Sequence, residues 1–408
     1  SKVNLREFTF LVVSPGIHTR GPKKHFLISK AKLKKLEVIN DIELFFRFNP
    51  ISQYIGITGT NGKSTTASLL SHVFNKLRIN NSLGGNIGKP IFDLKKQKNG
   101  FYILEISSFQ LELMKSPRFR IAVLLNITND HLDRHGTINK YVSEKIKIFN
   151  NQKESDFSVI GIDNKISKNF LKIVKKKYYS EIFSISGLNE NANIYVKGNY
   201  LNINYNSKNQ KKISKKINLN KFNNFRGSHN YQNIAAIYSI LLKLNLCNWD
   251  KIEEAIKSFS GLPHRLQIIR KINNIEYIND SKATNIDSSD KALSIFKKNI
   301  YWILGGKSKE KSLTKLKKHF PKIKHVFLLG ETKYLYKKYL QNFLKCTIVK
   351  NLRDAIVLSH KLVQEERIKK KLNTGVILFS PACSSLDEWN NFEERGNSFI
   401  SVVKKLNN

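Results

Sequence analysis

The chain has 408 residues, 40% of them hydrophobic, enough to bury two or three cores and too many for a disordered chain. The formal net charge of +40 first suggests a nucleic-acid or membrane partner, but the lysines are scattered from end to end among many Asn and Ile residues, as an AT-rich genome produces. Solvated lysines on a cytoplasmic, monomeric enzyme are the expectation, with no nucleic-acid partner. The longest apolar runs, such as Ile121–Leu125, are far too short to span a bilayer, and no signal peptide is visible. Three distant cysteines, Cys247, Cys346 and Cys383, suit neither a disulfide framework nor a zinc knuckle.

Apolar strands alternate with helical patterns for most of the length, which predicts an α/β fold with parallel sheets. The expected strands are Phe8–Val13, Tyr54–Thr58, Phe101–Ile106, Ile121–Ile127, Tyr301–Leu304, His325–Leu329 and Gly375–Phe379. Most of them end in small or polar residues, where open α/β sheets bind ligands. Gln53–Leu70, QYIGITGTNGKSTTASLL, runs from a strand through a glycine turn into a helix starting at Lys63 or Ser64. Gly59 and Gly62 allow the tight turn that aims backbone N–H groups at phosphate oxygens. The loop residues Thr60 and Asn61 lie between them, and the helix N-terminus adds partial positive charge. Lys63 can reach the terminal phosphates, and the hydroxyl of Ser64 or Thr65 can hold Mg²⁺. Two residues separate the glycines, so this is a shortened P-loop-type cradle for a nucleoside triphosphate.

Phe101–Phe109, FYILEISSF, carries four apolar residues into Glu105, which is placed either as a metal ligand or as an exposed strand-end carboxylate. Ile121–His135 ends in Asn129, Asp130, His131, Asp133 and His135, a dense set of polar side chains at one strand end. A helix follows over about Ile138–Asn150. The residues one turn either side of Lys145 are Tyr141, Val142, Ile148 and Phe149, all apolar or aromatic, whereas Lys147 has polar neighbours. Lys145 therefore faces the core, either as a desolvated nucleophilic amine or with its ammonium snorkelling outward. Asn193–Tyr205 alternates with period two around Gly198-Asn199 and predicts an antiparallel hairpin. The Lys/Asn-rich stretch beyond it, to about Asn220, is expected as a loop or an exposed edge.

RGSHNYQN (Arg226–Asn233) opens a helix with Asn230 and Asn233 one turn apart. Gly261-Leu262-Pro263 marks a domain boundary. GLPHRLQ places His264 and Arg265 there, and DSKATN (Asp280–Asn285), GGKSKE (Gly305–Glu310) and SPACSSLDEWNNF (Ser380–Phe392) each follow an expected strand. They describe a second ligand face on a doubly wound domain.

These motifs resemble the Mur ligase family, and NDSKATN and SPACSSLDEWNNFEERGN resemble its D-glutamate-adding branch in particular. VVSPGI (Val12–Ile17), DIELF (Asp41–Phe45), GGNIG (Gly84–Gly88) and EISSFQLE (Glu105–Glu112) match in family order as well. The resemblance implies three domains. Residues 1–48 would be a truncated, Rossmann-like piece of the domain that binds the UDP-linked substrate. Residues 49–260 would be a central ATPase domain, and 261–408 a Rossmann-like domain for the amino acid. It implies that ATP phosphorylates the carboxylate of UDP-N-acetylmuramoyl-L-alanine and that the amine of D-glutamate attacks the acyl phosphate.

By that resemblance Lys63 cradles the γ-phosphate. Ser64 and Glu105 hold one Mg²⁺, and His131 helps hold the second. Lys145 matches the lysine that CO₂ carbamylates, which would turn a buried cation into a metal-binding anion. Asn230, Asn233, Arg265 and Asp280 match ATP contacts. Gly16, Asn86 and His131 match contacts to the UDP-linked substrate. Lys282, Thr284, Lys309, Ser385 and Phe392 match the D-glutamate pocket, with Lys307 the alternative to Lys309. One departure is plain. The glycine-rich strand–helix unit that opens the family's N-terminal domain is missing before VVSPGI.

Overall fold

The computed structural model describes residues 5–14, 16–21, 24–128, 132–188, 190–207, 210–222, 225, 228–307, 312–369 and 373–407. His131 and Lys309, with Asn129, Asp130, Arg226 and Gly227, lie outside the described residues. The chain forms two compact units, Ser1–Phe259 and Ser260–Asn408.

Unit 1 begins with a small parallel pair, β1 (Phe10–Val12) and β2 (Glu37–Ile39), joined through helix α1 (Phe26–Leu33). Helix α2 (Asp41–Phe48) follows, and its buried Ile42, Phe45 and Phe46 pack on the main sheet. The main sheet is built from β3 (Gln53–Thr58), β4 (Asn81–Gly85), β5 (Phe101–Glu105), β6 (Ile121–Leu124), β7 (Phe157–Gly161), β8 (Glu181–Ser186), β9 (Ile194–Lys197), β10 (Tyr200–Ser207) and β11 (Gln210–Asn218). Their order is β11-β10-β9-β8-β7-β6-β3-β5-β4. Every pair from β4 to β9 is parallel, and β10 is antiparallel to both β9 and β11.

Period two sorts the side chains of the central strands onto two faces. Ile55, Ile57, Ile103, Ile121 and Val123 pack against helices α3 (Lys63–Lys76), α8 (Ser228–Lys243) and α9 (Trp249–Lys257). Tyr54, Tyr102, Leu104, Ala122 and Leu124 pack on the opposite face with α2 and α6 (Ile138–Ile146). Two further short helices, α4 (Ser108–Glu112) and α5 (Leu132–His135), lead off β5 and β6. Helix α7 (Lys165–Lys177) follows β7.

The expected hairpin turns at Gly198, whose φ of +59° is the left-handed value that a two-residue turn demands. The Lys/Asn-rich stretch beyond it pairs as β11, the edge strand, where outward lysines deter further pairing. The sequence patterns missed β4, β7 and β8, whose short runs lack a distinctive period.

Unit 2 holds β12 (Gln267–Ile272), β13 (Ile275–Asn279), β14 (Ile300–Gly305), β15 (Ile323–Leu329), β16 (Cys346–Ile348) and β17 (Gly375–Phe379) in the order β12-β13-β17-β14-β15-β16. All pairs but β12/β13 are parallel. Helices α10 (Ile286–Ile295), α11 (Lys333–Leu340), α12 (Leu352–Ile368) and α13 (Phe392–Lys404) complete it. β17 lies between β13 and β14, so the loops after these three strands crowd at one sheet end. That is the switch point where open α/β sheets take ligands.

Close packing beside the cradle gives a stability test. A Cβ on Gly161, at the end of β7, would lie 1.8 Å from the Leu125 carbonyl oxygen and 2.6 Å from Gln232 Nε2. Gly161→Ala must therefore push β6 and β7 apart, and it should cost roughly 1–3 kcal/mol in urea unfolding. A midpoint unchanged from the parent would contradict this packing.

Candidate active site

The turn between β3 and α3 is held from below by amides. Asn126, just past β6, accepts from the backbone N–H of Thr60 through its carbonyl at 2.8 Å and from that of Asn61 through Oδ1 at 2.9 Å. Its Nδ2 donates to Asn61 O and to Gln232 Oε1, and Gln232 in turn donates to Asp163 at 2.8 Å. Sequence reasoning missed Asn126 and Gln232, because neutral amides at strand and helix ends carry no motif. Gly62 sits at φ +86°, and a Cβ there would strike Asn233 Oδ1 at 2.3 Å. Most helices with a described cap carry a capping side chain, but α3 begins at Gly62 without one. Its first-turn N–H groups, near Ser64 and Thr65, are thus left to an anion.

Two lysines converge on this turn. Lys63 Nζ donates to Gly59 O and to Thr60 O, each at 2.9 Å. Lys145, only 2% exposed, donates to the same Gly59 O at 2.9 Å and to Thr58 Oγ1 at 3.4 Å. Its ammonium does not snorkel. It lies over the Tyr141 ring at 4.8 Å, and the Tyr141 hydroxyl meets Thr60 Oγ1 at 3.1 Å. Lys147 instead turns outward to Glu144. Two ammonium groups on one carbonyl oxygen form a strongly cationic spot.

Glu105 ends β5 opposite Ile57, beside the cradle. It is 2% exposed. Asn86 Nδ2 donates to its Oε1 at 3.0 Å, and its Oε2 is buried without a partner. Asn233 Oδ1 is likewise buried and unpartnered, while its Nδ2 donates to Asn230 Oδ1. Orphaned buried oxygens are rare and costly, and they suit a site built for a cation. The structure thus brings Gly59, Thr60, Asn61, Gly62, Lys63, Ser64, Thr65, Asn86, Glu105, Lys145, Asn230 and Asn233 to one edge of unit 1. Gly16 lies in the exposed loop after β1. That loop is tied down where Arg134 donates to Ile17 O, Thr19 donates to Glu112, and Arg20 pairs with Glu112 and Glu144.

In unit 2 the predicted residues meet at the crowded strand ends. Asp280 follows β13. It accepts from the Ser380 hydroxyl at 2.8 Å and from Leu266 N–H at 3.2 Å. Lys282 N–H donates to His264 O, and the Lys282 ammonium lies 5.1 Å from the Phe392 ring centre. Burial holds the His264 imidazole below its ordinary value, and Asn279 Nδ2 donates to its Nδ1. Thr284 is exposed, and Ser385 is buried. Lys307 exchanges backbone hydrogen bonds with Ser384, next to Ser385.

A model of the Mur ligase middle domain matches residues 57–241, and one of the Mur ligase glutamate ligase domain matches 264–383. The chain is 39% identical to the UDP-N-acetylmuramoylalanine--D-glutamate ligase of Rickettsia felis, over 97% of this chain and 84% of that protein. The chain belongs to the Mur ligase family. The ligase of the same name from Caulobacter vibrioides is 33% identical over 98% of this chain and 84% of that protein. Solved structures of this fold include Mycobacterium tuberculosis folylpolyglutamate synthase complexed with ADP and AMPPCP. It has a TM-score of 0.63 at 13% identity and covers 88% of this chain and 93% of that one. Thermotoga maritima UDP-N-acetylmuramate-alanine ligase has a TM-score of 0.61 at 16% identity, covering 98% and 87%. The phosphate turn and the unit 2 strand-end loops lie largely within the two matched segments. Among the described residues no helix is long and apolar enough to cross a membrane.

Asp280 makes this Mur ligase sensitive to pH. Burial pushes its carboxyl up to about 7, against the Ser380 hydroxyl, the Arg265 charge and the Leu266 N–H. The folded chain keeps the proton up to neutrality, whereas the unfolded chain releases it near the ordinary value. Stability from this group is therefore full below about pH 4 and lost as pH rises through about 7. Between pH 5 and 8 the parent should lose on the order of 2–3 kcal/mol relative to Asp280→Asn in urea melts. Parallel pH profiles for the two proteins would contradict the assignment.

Proposed function

We propose that this Mur ligase uses ATP to join D-glutamate to UDP-N-acetylmuramoyl-L-alanine through an acyl phosphate, as part of peptidoglycan precursor synthesis. The observation that carries the ATP half is the meeting of Lys63 and Lys145 at Gly59 O beside the orphaned Glu105 oxygen. The D-glutamate half rests on the relatives' names and on the cluster of Lys282, Ser385 and Phe392.

ATP phosphates lie in the β3–α3 turn, against the α3 N-terminus. Lys63 exchanges its carbonyl partners for the γ-phosphate as that group leaves for the substrate carboxylate. Breaking the Pγ–O bond to ADP forms the acyl phosphate. The D-glutamate nitrogen then attacks the acyl carbon, and phosphate departs from the tetrahedral adduct. Catalysis of this kind is positioning plus charge neutralisation, which fixed cations supply before the reaction begins. Glu105 and Ser64, with His131, are the residues that would hold Mg²⁺. The bound ions neutralise phosphate charge.

Lys145 fits the proposed carbamate. Its amine is buried and shares Gly59 O with the Lys63 ammonium, so an anion formed in its place would face a cation. The ammonium gives up one proton, the freed nitrogen lone pair adds to CO₂, and loss of a second proton from that nitrogen leaves an anion where a cation stood. That change relieves the repulsion from Lys63 and supplies a carboxylate next to Thr58 and Gly59. Arg265, Asp280, Asn230 and Asn233 are read as nucleotide contacts. Gly16 and Asn86 are read as contacts to the UDP-linked substrate, and Lys282, Thr284, Lys309, Ser385 and Phe392 as the D-glutamate pocket.

Amino-acid specificity gives the direct test. With UDP-N-acetylmuramoyl-L-alanine and ATP present, phosphate release should depend on D-glutamate and not on L-alanine or diaminopimelate. Release driven by either of the latter in place of D-glutamate would reject the assignment.

The carbamate has its own test. Lys145→Ala should lose at least a hundredfold in rate, and a short carboxylic acid in the buffer should restore part of it. With ¹³C-bicarbonate, the unaltered protein should give a carbamate carbon signal that Lys145→Ala lacks. Identical spectra from the two proteins would exclude the modification.

A further inference from the structure

Arg395 is a buried cation that the chemistry above does not use. It lies in the first turn of α13 and is 0% exposed. Its Nε donates to Ser281 Oγ at 3.0 Å. Its Nη2 donates to Ser281 O at 2.8 Å and to Cys383 O at 3.0 Å. Nη1 is buried with no partner. All three acceptors are neutral, and among the described residues no carboxylate forms an ion pair with this guanidinium. Burial pushes it down to about 10, although the charges of Asp387 and Glu388 act the other way. Keeping an unpaired cation dry is expensive, and a methionine of similar length would fill the space at less cost.

The position of the group explains its retention. Ser281 immediately precedes Lys282 in the loop after β13. Cys383 stands two residues before Ser385 in the loop after β17. The third loop, after β14, passes close by, because a Cβ added to Gly306 would lie 3.2 Å from Nη1 and 2.5 Å from Ser384 O. Gly306 leads directly into Lys307, which is paired to Ser384. Ser281 is held from its other side as well, since its hydroxyl donates to Phe392 O. One guanidinium thus joins two of the strand-end loops whose side chains are read above as the amino-acid pocket and lies close to the third. It also places a buried positive charge beneath them, with the Asp387 and Glu388 charges nearby.

We propose that Arg395 is the positioning residue of the amino-acid pocket, fixing the loops after β13 and β17 in register and biasing that pocket toward a dicarboxylate. A desolvated charge acts at longer range than the screened lysines of the surface. The arginine fork also fixes two backbone carbonyl-bearing loops at once, which a lysine cannot do. This inference rests on the D-glutamate reading.

The test uses the full chain with Arg395→Lys and Arg395→Met, compared by steady-state kinetics in D-glutamate and, separately, in ATP. Thermal melts check folding. Arg395→Lys keeps the charge and loses the fork, so its KM for D-glutamate should rise about tenfold. Arg395→Met loses both, and the rise should reach about a hundredfold. KM for ATP should stay within about twofold in both. A purely structural role would lower stability and raise both KM values together, with Lys no better than Met. That pattern, or a D-glutamate KM unchanged in either folded variant, overturns the proposal. If Arg395→Met does not fold, the Lys variant alone decides by the same split between the two KM values. Absence of D-glutamate turnover in the unaltered protein would reject the functional reading instead, and is seen before any variant is made.

Discussion

Two like charges share one acceptor at the centre of unit 1, and much of the surrounding structure exists to hold them there. Lys63 and Lys145 both donate to Gly59 O at 2.9 Å, so their nitrogens lie no farther apart than twice that distance. In water such a pair would separate freely. Here α3 fixes one lysine and α6 the other, and Tyr141 packs under the second. The repulsion is sustained by packing of the two sheet faces, in which Ile57 and Leu124 bury the strands on either side of the turn. A site held in this state binds an anion with little reorganisation, because the cost of gathering the cations is met in folding.

Neutral groups do the holding, and this separates framework from chemistry. Asn126 and Gln232 fix the turn, and Ser281, Asn279 and the Cys383 carbonyl fix the loops of unit 2. Amides suit the purpose because each both donates and accepts, and none adds charge to compete with a bound phosphate. The same residue type caps α2, α7, α9, α10, α12 and α13, through Asn40, Asn164, Asn248, Asn285, Asn351 and Asn391. The asparagine-rich composition is thus absorbed in positions where a short side-chain oxygen must reach a backbone N–H two or three residues on.

The parts legible in the sequence were those with a strong local signature. The cradle declared itself because a glycine turn between an apolar run and a helix has few other uses. Lys145 was legible as core-facing because its helical neighbours are apolar, while the spacing left open whether its ammonium snorkelled. The hairpin at Gly198 was legible by its period and its turn. Residues whose importance is set by distant partners were not legible. Arg395 stands in a stretch of charged residues, EERGN, and nothing nearby marks it as the one that turns inward. Its partners are more than a hundred positions away at Ser281 and a dozen away at Cys383. Asn126 is a single polar residue at a strand end, where any turn residue would look the same. β4 and β16 are too short or too glycine-rich to show alternation and depend on their neighbours for pairing.

A net charge of +40 attracts every anion, so it cannot by itself select one. Surface lysines act through water and salt, and their field falls off within about 10 Å. Selection therefore falls to the few charged groups removed from solvent. Among the described lysines and arginines, Lys145 and Arg395 are the two that the fold buries almost wholly, one in each unit. Lys145 donates to Gly59 O and Thr58 Oγ1, and Arg395 donates to Ser281 and to the Cys383 carbonyl. A buried charge of this kind cannot relax toward a poorly fitting anion, because the groups around it are packed. Discrimination among anions then depends on geometry rather than on net charge. That is how a strongly basic chain can remain specific while its surface is not.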